Sequence, residues 1–283
     1  LILYKKIILN DPFTKSFREE ISSFNCIKKK DKIIIAVSGG MDSVTLLLLL
    51  CSIDIHKIIV AHVDHSIRDE SRFDRIFVED LCSDLGVQFF FKTLDFSSRN
   101  RKDSIEKWAR EKRYQYLIKL AQKTKSNWIM TGHHANDQAE TLLLNLSRQA
   151  GVSGLTGIAR KNGKIIRPLL PFNKNVISAF AERIGFPFRQ DLTNADMAIP
   201  RNFIRKYILK PWEAEAPFLI KGMNNSTKYF NEWKLSLDYF IINFIVAKIS
   251  ISDKRFEIPL SLINDIPNLG KIRLIQLLFI KEK

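Results

Sequence analysis

Cysteine is scarce in this chain: Cys26, Cys51 and Cys82 stand far apart and no C-x-x-C pair occurs. That disfavours a disulfide framework and a thiolate site for zinc or an iron–sulfur cluster. Cys51 and Cys82 fall in apolar helical stretches, where a thiol behaves as a small buried hydrophobe. Long hydrophobic runs are also missing. The stretch Leu46–Cys51 is far short of the ~20 residues needed to cross a bilayer, and the opening LILYKKIILNDPF has no cleavable signal pattern. The expectation is a soluble cytoplasmic protein with no membrane partner. Acidic residues are in deficit, 30 Asp+Glu against 45 Lys+Arg, giving a net charge of +15. An enzyme of small metabolites has no need of this excess, whereas a polyanionic partner is attracted by it. A lysine-rich drift in composition would raise the total without clustering it. Here Arg99–Lys125 holds ten basic and three acidic residues, and Gln149–Lys174 holds five basic residues and no acid. Internal repeats and low-complexity tracts are absent.

What the chain does have is concentrated in KIIIAVSGGMDSVTLLLLL, residues 32–50. A hydrophobic strand runs into a glycine-rich turn that opens directly into an apolar helix. Ser38, Gly39 and Gly40 let the backbone turn tightly and approach a ligand, and the first turn of the helix offers unpaired N–H groups at the positive end of its dipole. Ser43 adds a hydroxyl and Asp42 a carboxylate able to bind metal. A plain helix cap would explain one polar side chain but not S-G-G-x-D-S as a set. The lysine that follows the glycines of an ordinary G-x-x-x-x-G-K-[ST] loop is missing, which argues against γ-phosphoryl transfer.

From residue 32 to about 148 strands and helices alternate: KIIIAV then a helix over 41–52, KIIVAHV then about 70–86, VQFFFKT then about 103–125, and NWIMTG then about 136–148. Strands rich in Ile, Val and Phe without alternation are buried on both faces, as in a parallel sheet covered by helices. Repeated βα units predict an α/β, doubly wound sheet with ligands beyond the carboxyl ends of its strands. SGGMDS, HVDHSIR (62–68) and TGHHANDQAET (131–141) all fall on that edge. After about Glu213 the spacing of apolar residues becomes helical, with EAEAP ending at Pro217 as a boundary. The expected division is 1–215 and 216–283, the second a smaller helical domain.

Within HVDHSIR, His62 is placed to face a base, Asp64 a ribose and Arg68 a phosphate; alone, such residues also suit a solvated loop. On the helix from Asp103 the apolar stripe runs through Ile105, Trp108, Ala109, Tyr116, Leu117, Leu120 and Ala121. Arg113 lies in or beside it, either snorkelling to water or turned to a ligand. Asp137 and Glu140, three apart, share a helix face beside His133 and His134. Paired carboxylates beside neutral imidazoles can bind an ammonium group and help deprotonate it, and they are also possible metal ligands. Arg201 and Arg205, four apart in PRNFIRKYILKPW with Lys206 and Lys210 nearby, can track a phosphate backbone or form a solvated face.

SGGMDS resembles the PP-loop of the ATP pyrophosphatases. H-V-D-H-x-x-R, A-R-x-x-R-Y (Ala109, Arg110, Arg113, Tyr114), R-P-L-L (Arg167–Leu170) and D-L-T-N (191–194) before R-N-x-x-R narrow the resemblance to the tRNA-isoleucine lysidine synthases over roughly residues 30–215. Asn136 stands where many members carry Asp. The resemblance implies ATP held by Ser38, Gly39, Gly40, Met41, Asp42, Ser43 and His62, and magnesium on Asp42. It implies Asp42, Arg113, His133, Asp137 and Glu140 as the catalytic set. Arg110, Arg201, Arg205 and Lys206 would contact tRNA. The reaction implied is adenylation of the wobble cytidine of an isoleucine tRNA with a CAU anticodon, then displacement of AMP by free lysine. The oligomeric state stays open, a homodimer included. Rival readings are a PP-loop tRNA cytidine thiolase, which the missing C-x-x-C pairs disfavour; an amidotransferase-type pyrophosphatase, which leaves the charge clusters unexplained; and a non-catalytic tRNA-binding module.

Overall fold

The computed structural model describes residues 2–53, 57–64, 71–99, 104–189, 197, 199–252 and 255–281. Two helices come first, α1 (Ile2–Asn10) and α2 (Pro12–Ser22). Asp11 caps α2 by accepting from the Phe13 N–H at 2.8 Å, and its carboxylate also receives Arg183 at 2.7 and 3.0 Å. Then β1 (Lys32–Ala36), α3 (Met41–Ile53), β2 (Lys57–Asp64), α4 (Ser71–Leu85), β3 (Gln88–Thr93), α5 (Ile105–Lys123), β4 (Trp128–Thr131) and α6 (Ala135–Ser147) follow in strict alternation. This is the βα alternation expected from the apolar runs.

The strands lie in the order β3-β2-β1-β4, extended by β6 (Ile165–Ile166) and β5 (Lys161–Asn162). All neighbouring pairs are parallel except β5 with β6. The center is β1, where Ile34 is in register with Ile59 of β2 and Ile129 of β4. Its side chains alternate between two covering layers. Ile33 and Ile35 pack with Phe17, Leu47, Leu50, Ile177 and Phe180 on one face, while Ile34 packs with Leu117, Leu120 and Ala121 of α5 on the other. Burial on both faces explains why β1 reads as an uninterrupted apolar run. Likewise α3 is buried from Ser43 to Leu50 and has no polar face.

After the short helix α7 (Val152–Leu155) and the β5–β6 hairpin comes α8 (Lys174–Ile184), then α9 (Pro200–Phe203), a π-helical stretch Ile204–Leu209, α10 (Lys210–Glu215) and α11 (Leu219–Phe240). The chain divides into two compact units, residues 1–144 with 158–224, and 145–157 with 225–283. The second has its own small core of Ile241, Val246, Ile249, Leu274 and Leu278. It contains the end of α11, a hairpin of β7 (Ser250–Ser252) and β8 (Arg255–Glu257), α12 (Leu260–Ile263) and α13 (Asn268–Lys281). The hairpin was not expected from the helical spacing. Arg273 holds Asp238 there by two bonds of 2.6 Å. Among the described residues no helix is long and apolar enough to cross a membrane.

Asp11 links the start of α2 to α8, and its effect should be measurable. Asp11→Ala removes cap and ion pair and should cost about 1–2 kcal/mol, read as a lower thermal midpoint, with Asp11→Asn falling between it and the parent. Burial pushes the Asp11 pKa up, but Arg183 and the Phe13 N–H outweigh this and hold it below 3.8. The stabilisation is therefore complete above the unfolded value and is lost as pH falls through the lower folded one. The gap between parent and Asp11→Ala should close on acidification below about pH 4; a gap that persists there would show that the carboxylate charge contributes nothing.

Candidate functional site

The turn after β1 is built by two serines and two glycines. The Ser38 N–H donates to Ser43 Oγ at 3.1 Å, Gly40 N–H to Ser38 Oγ at 3.3 Å, and Ser43 Oγ to the Gly40 carbonyl at 2.9 Å. Gly39 has φ +95°, in the left-handed region that a Cβ disfavors. The Arg189 N–H donates to the Gly39 carbonyl at 2.9 Å, pinning the turn from outside. A second glycine closes the other side. A Cβ at Gly132, just past β4, would lie 3.1 Å from the Asp42 carbonyl carbon and 3.2 Å from Ser43 N. Since β1 continues to β2 on one side and β4 lies on the other, this contact marks the topological switch point, where open α/β sheets bind ligands.

Four titratable side chains meet there, Lys174, Asp42, His134 and Asp137. Lys174 Nζ, at the first residue of α8, is 2.5 Å from Asp42 Oδ1. His134 Nε2 lies 3.6 Å from Asp42 Oδ2 and 3.5 Å from Asp137 Oδ2, so one imidazole spans the PP-loop carboxylate and the first turn of α6. Asp137 Oδ2 also accepts the His134 N–H at 2.9 Å. Burial pushes Asp42 up, but His134 and Lys174 overcome it and hold its pKa at about 2. Burial likewise pulls His134 down, while Asp137 and Asp42 overcome it and raise its pKa. Asp42 is thus an ionised hard donor suited to a divalent cation. Among the described residues no group of three or more His, Cys, Asp or Glu is arranged to hold a metal. A magnesium ion on Asp42 would take its remaining ligands from phosphate and water, as it does elsewhere.

Beside this lies a cluster of arginines around Tyr114. The Arg110 and Arg113 guanidinium carbons are 5.2 and 5.5 Å from the Tyr114 ring centroid, and Arg167 Nη2 is 3.4 Å from the Tyr114 hydroxyl. Burial raises the Tyr114 pKa, but Arg110, Arg167 and Arg113 outweigh it and lower it. His133 holds Thr131 Oγ1 at 2.8 Å through Nδ1. Burial, helped by Arg167, Arg113 and Arg110 and opposed by Asp137, pulls its pKa far down and keeps the ring neutral. On α5 the buried stripe is Trp108, Ala109, Leu117, Leu120 and Ala121; Ile105, in the first turn, is exposed instead.

Glu140 and the RNFIR segment have a different environment. Glu140 is completely buried and accepts from Arg205 at 2.6 and 3.1 Å, with Arg201 Nε 3.4 Å away. Arg201 also donates to Thr141 Oγ1 at 2.8 Å. The two arginines that spacing places on one face therefore converge on α6. Lys206 Nζ stands 5.3 Å from the Tyr207 ring, and Tyr207 and Phe203 are exposed. Glu213 accepts from Asn136 and Asn173, and Asn136 Oδ1 accepts the Lys174 N–H, so α6, α8 and α10 are tied together.

His62 is buried on β2; its Nδ1 donates to the Val37 carbonyl at 2.9 Å and its Nε2 has no partner among the described residues. Burial lowers its pKa, so the ring is neutral with an open acceptor. Asp64 ends β2, its carbonyl accepting the Leu94 N–H at 2.9 Å. Arg68, Asp191 and Asn194 lie outside the described residues. The structure thus gathers Ser38–Ser43, His133, His134 and Asp137 at one edge and adds Lys174, Arg167 and Gly132, to which no motif or spacing assigned a role. His134, expected as a neutral imidazole, is instead shifted toward its charged form, because burial is overcome by Asp137 and Asp42. Lys174 lay only inside a basic cluster and Arg167 in that cluster and the R-P-L-L motif, and nothing in the sequence joins position 174 to 42.

Residues 10–211 match a family described as a PP-loop domain. The tRNA(Ile)-lysidine synthase of Thermosipho africanus is 36% identical over 248 residues, 86% of this chain and 56% of its own length. That of Chlorobaculum tepidum is 37% identical over 240 residues, 82% of this chain and 72% of its length. The chain spans about half the length of most curated relatives it matches. Among solved structures, the U34-tRNA thiolase from Methanococcus maripaludis is similar with a TM-score of 0.62 at 17% identity, covering 78% of this chain and 79% of that one. At that identity the likeness is one of fold.

The Glu140 contacts generate a direct test. Arg205→Ala removes two charge-assisted bonds from a buried carboxylate and should cost about 1.5–3 kcal/mol, seen as a lower midpoint in thermal or urea unfolding. Lys206→Ala, next to it, should stay within about 0.5 kcal/mol. Equal stability of both variants would mean that Arg205 does not hold Glu140 in solution.

Proposed function

The chain belongs to the tRNA(Ile)-lysidine synthases of the PP-loop family, and from that premise we propose that it is an ATP-dependent ligase acting on an isoleucine tRNA with a CAU anticodon. In this reading residues 1–215 carry catalysis and 216–283 form a helical tRNA-binding domain, and the protein works in the cytoplasm. Bound ATP supplies an α-phosphorus to the 2-oxygen of the wobble cytidine, pyrophosphate leaves, and the ε-amine of lysine then attacks C2 and expels AMP together with that oxygen. The observation that carries the proposal is the line Asp42–His134–Asp137, which joins the PP-loop to the first turn of α6 through one imidazole.

The fit to ATP rests on two close approaches. Gly39 at φ +95° gives the turn a path that a side chain would strain, and Gly132 lets the end of β4 pack directly on the Asp42 backbone, so that the turn and the start of α6 come together. The backbone of Ser38–Ser43 holds the phosphates there. His62, with its open Nε2 acceptor, receives the amino group of adenine. Asp42 holds magnesium, which neutralises phosphate charge when bound. Arg113, with Arg167 behind Tyr114, stabilises the charge that develops as the α-phosphorus is attacked, and Arg110 meets the tRNA phosphates. Neutral His133 donates or accepts one hydrogen bond at the reacting phosphate without adding charge.

Asp137 receives the ammonium of lysine, and it shares the His134 imidazole with Asp42. Glu140, closed by Arg205 and Arg201, fixes the position of Asp137 one turn away. Lys206 faces the RNA with its ammonium, and Arg201 and Arg205 do so only through the N–H groups not spent on Glu140. The cytidine leaves the anticodon stack at the modest cost of unstacking a loop base. A thiolase reading finds no support in Cys82, whose thiol burial pushes up to about 12 and leaves inert, and no C-x-x-C pair occurs in the sequence.

Incubation with ATP, lysine and a CAU-anticodon transcript should give AMP, pyrophosphate and a modified cytidine, all three dependent on the RNA. Asp42→Asn should abolish pyrophosphate release in a protein of unchanged circular dichroism. Asp137→Asn should raise the lysine requirement roughly tenfold or more with little effect on the ATP requirement, so that RNA-dependent pyrophosphate release survives. Indifference of the parent protein to lysine would overturn the proposal. Equal loss of both steps in Asp137→Asn would move that carboxylate to the nucleotide.

A further inference from the structure

Lys174 occupies a position that helix electrostatics disfavours. It is the first residue of α8, whose first turn holds no acid, and the N-terminal end of a helix repels cations. Its main chain is fixed: the Lys174 N–H donates to Asn136 Oδ1 at 2.9 Å, and the preceding Asn173 both caps the helix through the Asn175 N–H and donates to Glu213. Only the side chain is left to move. It reaches from there to Asp42 at 2.5 Å, and both ends of the pair are about one third exposed, with side-chain exposures of 32% and 27%. Among the described residues, the carboxylate that offsets the dipole cost at the helix start is Asp42.

Asp42 in turn faces two cationic partners, Lys174 and His134, with one negative charge. The ammonium sits on the same carboxylate that the ligase reading gives to magnesium. An ammonium 2.5 Å from Oδ1 repels a divalent cation brought to the same carboxylate and has already neutralised part of that carboxylate's charge, so the cation binds more weakly while the ammonium stays. The phosphates expected in the adjoining Ser38–Ser43 turn supply another anion within reach of a flexible four-carbon stem.

We infer that Lys174 is an exchangeable counter-ion. It neutralises Asp42 in the nucleotide-free site, yields that carboxylate to the divalent cation when ATP arrives, and transfers its own charge to the phosphates. Lys174 is therefore a residue of the nucleotide site that acts twice, first keeping the metal out of the empty turn and then clamping the polyphosphate. The inference deepens the ligase reading and rests on it. It makes tight metal binding depend on the nucleotide, since the metal alone gives the ammonium no other anion to move to.

The test uses the whole chain and two binding measurements, neither of which needs turnover. Manganese alone, titrated by electron paramagnetic resonance, should bind the parent weakly and Lys174→Met about tenfold or more tightly, because a unit positive charge has left the carboxylate. A non-hydrolysable ATP analogue with magnesium, followed by calorimetry, should bind Lys174→Met about tenfold or more weakly than the parent. Asp42→Asn should abolish the manganese gain when combined with Lys174→Met. Unchanged manganese affinity in folded Lys174→Met, or unchanged nucleotide affinity, overturns the exchange. A parent protein that binds no ATP analogue overturns the ligase reading itself, a result distinguishable because it does not involve the variant.

Discussion

The contact on which the rest of the site depends is the approach of Gly132 to the backbone of Asp42 and Ser43, where an added Cβ would come within 3.1–3.2 Å. Two neighbouring parallel strands, β1 and β4, carry their outgoing loops to the same point. The absence of a side chain at Gly132 lets the start of α6 come close to the start of α3. His134 is then near enough to bridge Asp42 and Asp137. A larger residue at position 132 would push these helix starts apart, and the bridge spans only a few tenths of an ångström more than a direct hydrogen bond.

Electrostatics around that point are arranged in two compartments. One is a string of Lys174, Asp42, His134 and Asp137, in which His134 and Lys174 keep Asp42 ionised against burial and the two carboxylates raise the His134 pKa. The other is a set of guanidiniums around Tyr114 and a neutral His133. A site for a polyphosphate and a cationic nucleophile needs this separation, because one surface cannot attract both. The boundary between the compartments runs along the turn before α6 and its first turn, where His133, His134 and Asp137 contribute to each.

Glu140 illustrates how a helix face changes meaning with its surroundings. Its spacing from Asp137 reads as a paired carboxylate open to a substrate, and the R-N-x-x-R spacing reads as a free basic face. In the fold these two surfaces meet, and Glu140 is buried under Arg205 and Arg201. A buried carboxylate without such partners would be costly, so the pairing is what lets α6 pack against the π-helical segment through Ala139 and Ile204.

The sequence alone determined the sheet and its ligand edge. Apolar runs without alternation, such as KIIIA and KIIVAHV, can only be strands covered on both faces, and S-G-G-x-D-S between a strand and a helix can only be a tight, ligand-approaching turn. These are local properties, set by residue type and by spacing over a few positions. The helices α1, α2 and α8, the β5–β6 hairpin and the β7–β8 hairpin were not legible, since their places depend on neighbours distant in the chain. The same holds for the partners of the site residues. Asp42 and Lys174 are 132 positions apart and Glu140 and Arg205 are 65 apart, and a charge seen in sequence has no partner until folding supplies one. Only the tertiary structure decided which carboxylate is spent on an arginine and which is held by a lysine, because Coulomb energy depends on distance through space and on burial, neither of which is encoded in spacing along the chain.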